Sequence, residues 1–355
     1  AFCVAPRLPR EYDAAMINIV SSQAPPTHMI GPHKLELNLR KGLDLIGYLY
    51  VLGRSLRSTK RLWIDGLPGL APYLPRRDVY TVIGPNVWLL GWEVPPRARL
   101  DHAMIVLASD KAVAQFHGDE GFRRCPVRTW AGGIDTDEFR PAAGRKASRR
   151  VIVYSKQRDP RETPGIIETL LRHRLRPSLI MYGKYSEEQY REALADAAFM
   201  VWHGRGESQG LALGEALSCD VPVLVCNEWV EFDAARAARF HVQPGRRLLE
   251  CAPYFDARRG LRIDSLDALS EAVSEMLDRL PGFRPREFVL ENLTLEKSAR
   301  AFVDLWNEWG LSFDDGLKEG CRGARQFRLP WPVVARQIGG ATRRILRGRS
   351  RPGRV

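Results

Sequence analysis

The sequence predicts an α/β protein of two doubly wound domains that face a cleft, followed by a basic C-terminal tail. The chain has 355 residues, whereas an ordinary domain has about 100 to 200, so two domains are expected. Short apolar or β-branched runs alternate with longer helical patterns in two successive series, which is typical of parallel sheets with crossover helices. The polar, basic residues 141–150 separate the two series, as an interdomain linker would.

The first series occupies residues 1–140 and the second residues 141–293. In the first we expect strands at 16–20, 61–64, 80–83 and 104–107, helices at 32–45 and 111–120, and then a short apolar segment at 127–130. In the second we expect strands at 151–154, 179–182, 198–202 and 221–226, and helices at 164–173, 187–197, 211–219, 230–238 and 266–280. A long helix at 294–309 forms the closing segment 294–312. Because open parallel sheets bind ligands at the carboxyl ends of their strands, we expect the chemistry in the cleft.

The net charge of +12 is concentrated near the C-terminus. Residues 316–355 contain eleven Lys and Arg against one Glu, whereas the other 315 residues carry a net charge of only +2. A nucleic-acid-binding protein is expected to carry its basic surface on the folded body, so no nucleic-acid partner is predicted. Two interpretations of the tail, residues 313–355, stay open: a segment that lies on an anionic membrane surface, or a solvated, disordered extension.

The six cysteines are scattered, with no pair two residues apart and no neighbouring histidine at zinc-finger spacing. Neither a metal site nor a disulfide framework is predicted, and a reducing compartment is expected. No apolar run reaches the ~18 residues that span a bilayer, and no signal sequence is evident. We expect a cytoplasmic protein, peripheral at the inner face of the membrane if the tail binds lipid.

The most informative stretch, residues 201–217, combines a strand, a glycine-rich loop and the start of a helix. Glycines in the loop let the backbone approach a ligand, and free amides in the first helical turn favour an anion such as a diphosphate. Glu207 lies in the loop and Glu215 about one and a half turns into the helix, where their carboxylates suit the hydroxyls of a sugar or ribose. The alternative is that Glu207 is a first-turn acid stabilised by the helix dipole and Glu215 a solvated helix residue.

This motif resembles the donor-binding motif of the retaining GT-B glycosyltransferases related to family 4, the group 1 glycosyltransferases. Glu207 and Glu215 are separated by seven residues and followed by Val-Pro-Val at 221–223. Residues 133–141 resemble the Gly-Ile-Asp loop that ends the first domain in that group, and residues 291–297 the start of the closing helix that crosses back to it. Lys156 and Arg161 stand where the group has Arg and then Lys, so both positions stay cationic. The resemblance covers residues 130–310 clearly and the first domain loosely.

The resemblance implies a GT-B fold, with a Rossmann-like acceptor domain at 1–140 and a Rossmann-like nucleotide-sugar donor domain at 141–293. It also implies a retaining, metal-independent hexosyl- or related glycosyltransferase with no cofactor besides its nucleotide-diphosphate sugar. The acceptor would be a glycan, a lipid-linked molecule or a small molecule. A nucleotide-sugar epimerase and a phosphorylase of the same fold remain alternatives, as does a catalytically silent module that binds a glycan or a protein.

The resemblance also suggests roles for individual residues. Glu207 would hold hydroxyls of the donor sugar and Glu215 the ribose, while Lys156 and Arg161 would stabilise the leaving diphosphate. The further residues expected in the donor site are Ser208, Gln209, Gly210, Leu211, His203 and Gly31. For His203, which directly follows a strand, a hydrogen-bonded structural role is the alternative. His33 and Lys34 are interpreted as first-turn helix residues, and Asp65 and Asn86 as weak candidates for the acceptor site.

Overall fold

The computed structural model of this chain describes residues 16–20, 31–53, 61–66, 80–86, 103–116, 126–142, 148–239 and 243–320. The loop at 27–30, residues 143–147 of the linker, the end of the helix expected at 111–120 and the tail beyond Gly320 lie outside the described residues. Within the described part, no helix combines the length and apolar character needed to cross a membrane.

The first domain contains a six-stranded parallel sheet with strand order β2-β1-β3-β4-β5-β6. Its elements are β1 (Ile17–Val20), α1 (Gly31–Leu45), β2 (Tyr50–Leu52), β3 (Arg61–Gly66), β4 (Tyr80–Asn86), β5 (Ala103–Leu107), α2 (Asp110–Phe116) and β6 (Val127–Thr129). The central strands are buried apolar runs, as parallel strands covered on both faces require.

The second domain contains a five-stranded parallel sheet with strand order β13-β10-β9-β7-β8. Its elements are β7 (Arg150–Lys156), α3 (Glu162–Arg172), β8 (Arg176–Met181), α4 (Glu187–Ala195), β9 (Ala197–Gly204), α5 (Leu211–Ser218), β10 (Val223–Cys226), β11 (Glu228–Phe232), α6 (Ala234–Arg239), β12 (Gly245–Leu249), β13 (Gly260–Ile263), α7 (Leu269–Arg279) and α8 (Pro285–Asn292). The closing helix α9 (Leu295–Gly320) follows them. The chain runs from β7 outward to β8 and then returns to β9 on the other side of β7. The carboxyl ends of β7 and β9 therefore lie at a topological switch point.

One predicted helix is wrong. Residues 230–238 were expected to be helical, but β11 covers Glu228–Phe232 and pairs antiparallel with β12, so that only Ala234–Arg239 is helical in this region. The sequence Glu-Trp-Val-Glu-Phe alternates between exposed and buried residues with the period of two of a strand, and Val230 and Phe232 form a small core with Ala237.

The strands β2, β12 and β13 and the helix α8 were not predicted, the apolar segment at 127–130 contains the strand β6, and α9 extends beyond the expected end at 309. Strands of three or four residues carry too little periodicity to stand out in a sequence. Helix α8 begins with Pro285, which suits the first helical turn.

Helix α9 follows the second domain but packs against the sheet of the first. Its Phe302 and Trp306 form an aromatic cluster with Trp63, Trp130 and Tyr80, in which the Trp130 and Phe302 rings lie 4.8 Å apart and the Tyr80 and Trp306 rings 4.9 Å apart. The Trp130 indole N–H donates to the Ser298 carbonyl at 3.0 Å, as a buried indole requires. This cluster fixes the end of the second domain against the first.

The chain crosses between the two sheets twice, at adjacent positions. The first crossing follows Gly133, and the second precedes α9. The Ile134 N–H donates to the Leu293 carbonyl at 2.7 Å, and Ile134 and Thr294 form an isolated parallel bridge. The two crossings are therefore hydrogen-bonded to each other.

Candidate active site

The glycine-rich loop lies at the switch point of the second sheet. Strands β7 and β9 pair so that Lys156 lies opposite Gly204 at their carboxyl ends. From Gly204 the loop runs to Gly210, which adopts a left-handed conformation (φ 77°) just before α5. Glycine adopts this conformation at little cost, so the loop turns sharply into α5, whose first backbone N–H groups have no partner within the helix.

Glu207 and Lys156 form an ion pair in this loop. The Glu207 side chain is 6% exposed and that of Lys156 is 21% exposed, and the Lys156 ammonium lies 4.6 Å from the centre of the Tyr182 ring. Burial raises the pKa of Glu207, although the Lys156 charge and the Gly210 amide oppose this effect. One cation and one carboxylate are thus brought together beside the amino end of a helix.

Glu215 forms a second ion pair, with a lysine of the first domain. Its side chain is 1% exposed and its Oε1 lies 2.7 Å from the Lys34 ammonium, which also pairs with Glu187 of α4. Both carboxylate oxygens of Glu215 are buried and, the Lys34 ion contact aside, neither has a hydrogen-bond partner among the described residues. Burial raises the pKa of Glu215 to about 7 against the opposing effect of Lys34. A solvated helix position is therefore wrong for Glu215, and Lys34 is more than a first-turn helix residue.

His203 lies under the loop and is completely buried. Its Nε2 lies 2.7 Å from a carboxylate oxygen of Glu162. Burial lowers the pKa of His203, and the nearby Arg158 guanidinium lowers it further, while Glu162 opposes both. This geometry fits the hydrogen-bonded structural role that the sequence left open.

Arg158 is a site residue that the sequence interpretation missed. Its side chain is 3% exposed, and it donates to the carbonyls of Gly204, Cys226 and Asn227 at 3.2 to 3.4 Å. Its guanidinium also lies 3.1 Å from Glu162. Arg158 thus ties together the carboxyl ends of β9 and β10 beneath the glycine-rich loop.

Arg161 lies in a different environment from Lys156, the other residue predicted to stabilise the diphosphate. Its side chain is 90% exposed and its guanidinium pairs with Asp159 at 2.6 Å. Among the contacts of the described residues, none joins Arg161 to Lys156 or Glu207. The structure therefore brings Lys156, Glu207 and Glu215 together with the amino end of α5 but leaves Arg161 on the solvent side of the α3 start.

The remaining predicted residues occupy varied positions. Ser208 is exposed on the loop, and Leu211 packs partly against the core of the second domain. Gly31 begins α1, with open space beside its α-carbon. In the first domain, Asp65 is buried in β3, while Asn86 ends β4.

Gln209 connects the loop to the first domain. Its side-chain amide donates to the Gly132 carbonyl at 2.5 Å, and its Oε1 accepts from the Gly132 N–H at 2.9 Å. Both groups of the Gly132 peptide are thereby satisfied in a buried position. The side chain of Gln209 is consequently engaged by protein, which leaves the backbone of the loop to face a ligand.

Gln209→Ala should lower the free energy of unfolding by about 1 to 3 kcal/mol, because it leaves a buried N–H and a buried carbonyl unsatisfied. Urea denaturation of the variant and of Ser208→Ala, a change at the exposed neighbouring position, measures the difference. Equal denaturation midpoints for the two variants would show that the Gln209 bridge contributes nothing to stability.

Comparisons with known proteins show that this chain is similar in fold to several solved structures. No protein-family model matches the sequence, and no curated protein is significantly similar to it. The chain is similar to the N-terminal domain of Candida albicans trehalose-6-phosphate phosphatase, with a TM-score of 0.50, 11% identity, and 84% of this chain and 97% of that one covered. Anabaena HepE in complex with UDP and glucose gives a TM-score of 0.48 and 10% identity, covering 86% and 100% of the two chains.

The GtfA/B complex gives a TM-score of 0.47 and 15% identity over 70% of this chain, which spans only 57% of the matched chain in that complex. Because these sequence identities are low, the comparisons support a similarity of fold and nothing further. The two parallel sheets and the likeness to the Candida albicans domain agree with the GT-B fold that the sequence predicts.

Proposed function

We propose that this protein is a glycosyltransferase that takes a sugar from a nucleoside-diphosphate donor. The observation that carries the proposal is the pair of buried carboxylates, Glu207 just before α5 and Glu215 inside it, each ion-paired to a lysine. A nucleotide sugar offers a complementary set of groups: hydroxyls for the carboxylates and a diphosphate for the cation and the helix amides.

In this proposal the bound donor contacts both Lys156 and Glu207, and these contacts replace the ion pair between them. The diphosphate accepts from Lys156 and from the amides at the start of α5, and the sugar hydroxyls donate to Glu207. As the sugar departs, negative charge builds on the diphosphate, and a fixed cation stabilises that charge more strongly than it stabilises the bound donor. The ribose hydroxyls donate to Glu215. Retention of configuration, independence of metal and a glycan or lipid-linked acceptor are the finer parts of the proposal, and they rest on the motif resemblance.

A binding screen tests the proposal. UDP, GDP, ADP and dTDP are added separately, and the thermal unfolding of the full chain is followed; a ligand at 100 times its Kd adds ~2.7 kcal/mol of stability. We expect one or more of these nucleotides to raise the Tm. No shift with any of them, repeated by calorimetric titration, would overturn the proposed donor site.

Two substitutions then separate the roles of the carboxylates. Glu207→Ala should reduce acceptor-dependent release of the nucleoside diphosphate far more than it weakens nucleotide binding, because Glu207 contacts the sugar. Glu215→Ala should weaken the binding of the nucleotide itself. Equal, small effects of both changes would return the two residues to structural roles. Isomerisation of the donor without any acceptor would identify an epimerase instead.

A further inference from the structure

Lys34 reaches from the first domain into the centre of the proposed nucleotide site. It lies in α1, yet its ammonium contacts Glu187 at the start of α4 and Glu215 inside α5. Its side chain is only 12% exposed, and the ring of Phe139 lies beneath the ammonium at 5.1 Å. A lysine desolvated to this extent is held by its partners rather than by water.

Apart from Lys34, the groups around Glu215 disfavour its ionised form. Glu187 and Glu138 act on it with like charge, and it lies near the buried phenols of Tyr154, Tyr185 and Tyr190. Burial and these acids raise the pKa of Glu215 to about 7, and Lys34 opposes them with both charge and contact. Removal of Lys34 would leave a buried carboxyl that favours its protonated form near neutral pH.

The buried carboxylate oxygens of Glu215 point to a ligand. Lys34 contacts Oε1, and apart from that ion contact both buried oxygens lack a hydrogen-bond partner among the described residues. A buried carboxylate oxygen without a partner carries a desolvation cost that a donor hydroxyl would remove. A ribose hydroxyl supplies such a donor, and it would not need to displace Lys34.

We propose that Lys34 is a positioning residue of the nucleotide site, which favours the ionised form of Glu215 from across the domain interface and leaves its carboxylate able to accept a ribose hydroxyl. This inference rests on the proposed function. It makes the nucleotide site incomplete without the first domain, because the charge state of Glu215 depends on a residue of that domain. Lys34 acts through Glu215 and is not itself a catalytic residue.

The test is the pH profile of nucleotide affinity, measured by calorimetric titration from pH 5.5 to 9 with UDP, or with GDP, ADP or dTDP if the screen selects one of them. In the unsubstituted protein, affinity should rise about tenfold between pH 6 and pH 8, as a carboxyl that titrates near neutrality becomes an acceptor. Lys34→Met should weaken binding at pH 7 about tenfold or more and move the rise to higher pH. Lys34→Arg should restore binding in part.

Two further variants separate positioning from a merely structural contact. Glu187→Gln removes a like charge near Glu215, so it should move the rise in affinity to lower pH, opposite to Lys34→Met. Glu215→Gln removes the titrating group and should leave only the pH dependence of the nucleotide phosphates. A variant that only loosened the fold would not shift the pH dependence of nucleotide affinity in a defined direction.

Failure of the proposed function and failure of the Lys34 role give different results. If no nucleotide binds the unsubstituted protein, the proposed function fails and the role of Lys34 fails with it. If nucleotide binds and Lys34→Met has an unchanged affinity and pH profile, only the role of Lys34 is overturned. If Lys34→Met does not fold, Lys34→Gln decides, since glutamine keeps a hydrogen-bond donor but removes the charge: a rise in affinity moved to higher pH supports the role of Lys34, and an unchanged profile overturns it.

Discussion

Lys156→Met should lower the rate of sugar transfer by about 100-fold to 1,000-fold, the loss seen when one fixed group that stabilises transition-state charge is removed. Methionine keeps the length of the side chain and removes its charge. Two effects combine, because the diphosphate loses its cation and the buried Glu207 loses the partner that opposes its raised pKa. The measurement is acceptor-dependent release of the nucleoside diphosphate, with the donor that the binding screen identifies.

Lys184→Met is the matched control, since Lys184 is an exposed lysine of the same domain, in the turn after β8. We expect its transfer rate to equal that of the unsubstituted protein. Thermal unfolding of both variants checks that each is folded. A Lys156→Met variant that is folded and transfers sugar at the normal rate would remove Lys156 from the mechanism.

Arg158→Met should destabilise the protein by about 3 to 5 kcal/mol, the usual cost of removing one partner from a buried charged network. The substitution leaves the carbonyls of Gly204, Cys226 and Asn227 without their donor in a buried position. It also leaves the His203–Glu162 pair without the neighbouring cation. Chemical denaturation gives the free energy of unfolding directly.

The same substitution three residues later is the control. Arg161→Met removes a guanidinium that is 90% exposed and pairs with Asp159, and exposed ion pairs add little to stability. Its denaturation midpoint should not change. Transfer by this variant decides the separate prediction that Arg161 stabilises the leaving diphosphate: a normal rate would leave Lys156 and the amides of α5 as the groups that do so.

The buried parallel strands could be predicted because each has a recognisable local pattern in the sequence. Runs such as Val151-Ile152-Val153 and Phe199-Met200-Val201 are continuous and apolar because helices cover both faces of the sheet. Residues 228–232 were misread because an Ala-rich segment follows directly and extends an apparently helical pattern. Strand β13 lies beside β10 through pairing with a distant segment, which local sequence does not record.

The candidate site was predictable where its residues share one loop and not where they meet through tertiary structure. Glu207, Gly210 and Glu215 belong to one strand, loop and helix unit, so their spacing placed them together. Lys34 and Glu215 belong to different domains and lie far apart in the sequence, so no local pattern indicates that contact.

Arg158 and Arg161 occupy the same loop, and spacing alone favoured Arg161. Asp159 instead engages Arg161 at the start of α3, while the side chain of Arg158 turns beneath the sheet edge. Which of two neighbouring arginines turns inward depends on carbonyl groups of other strands, which are unknown before the fold is known.

The paired chain crossings at Ile134 and Thr294 place both covalent connections between the two sheets at one position. Because the two crossings are hydrogen-bonded to each other, they act as a single connection. If the cleft opens, we therefore expect the two sheets to rotate about this connection as a hinge. Because Gly132 and Gly133 adjoin this connection, the Gln209 bridge would lie close to the hinge and move little, whereas groups farther out would separate widely for the same angle.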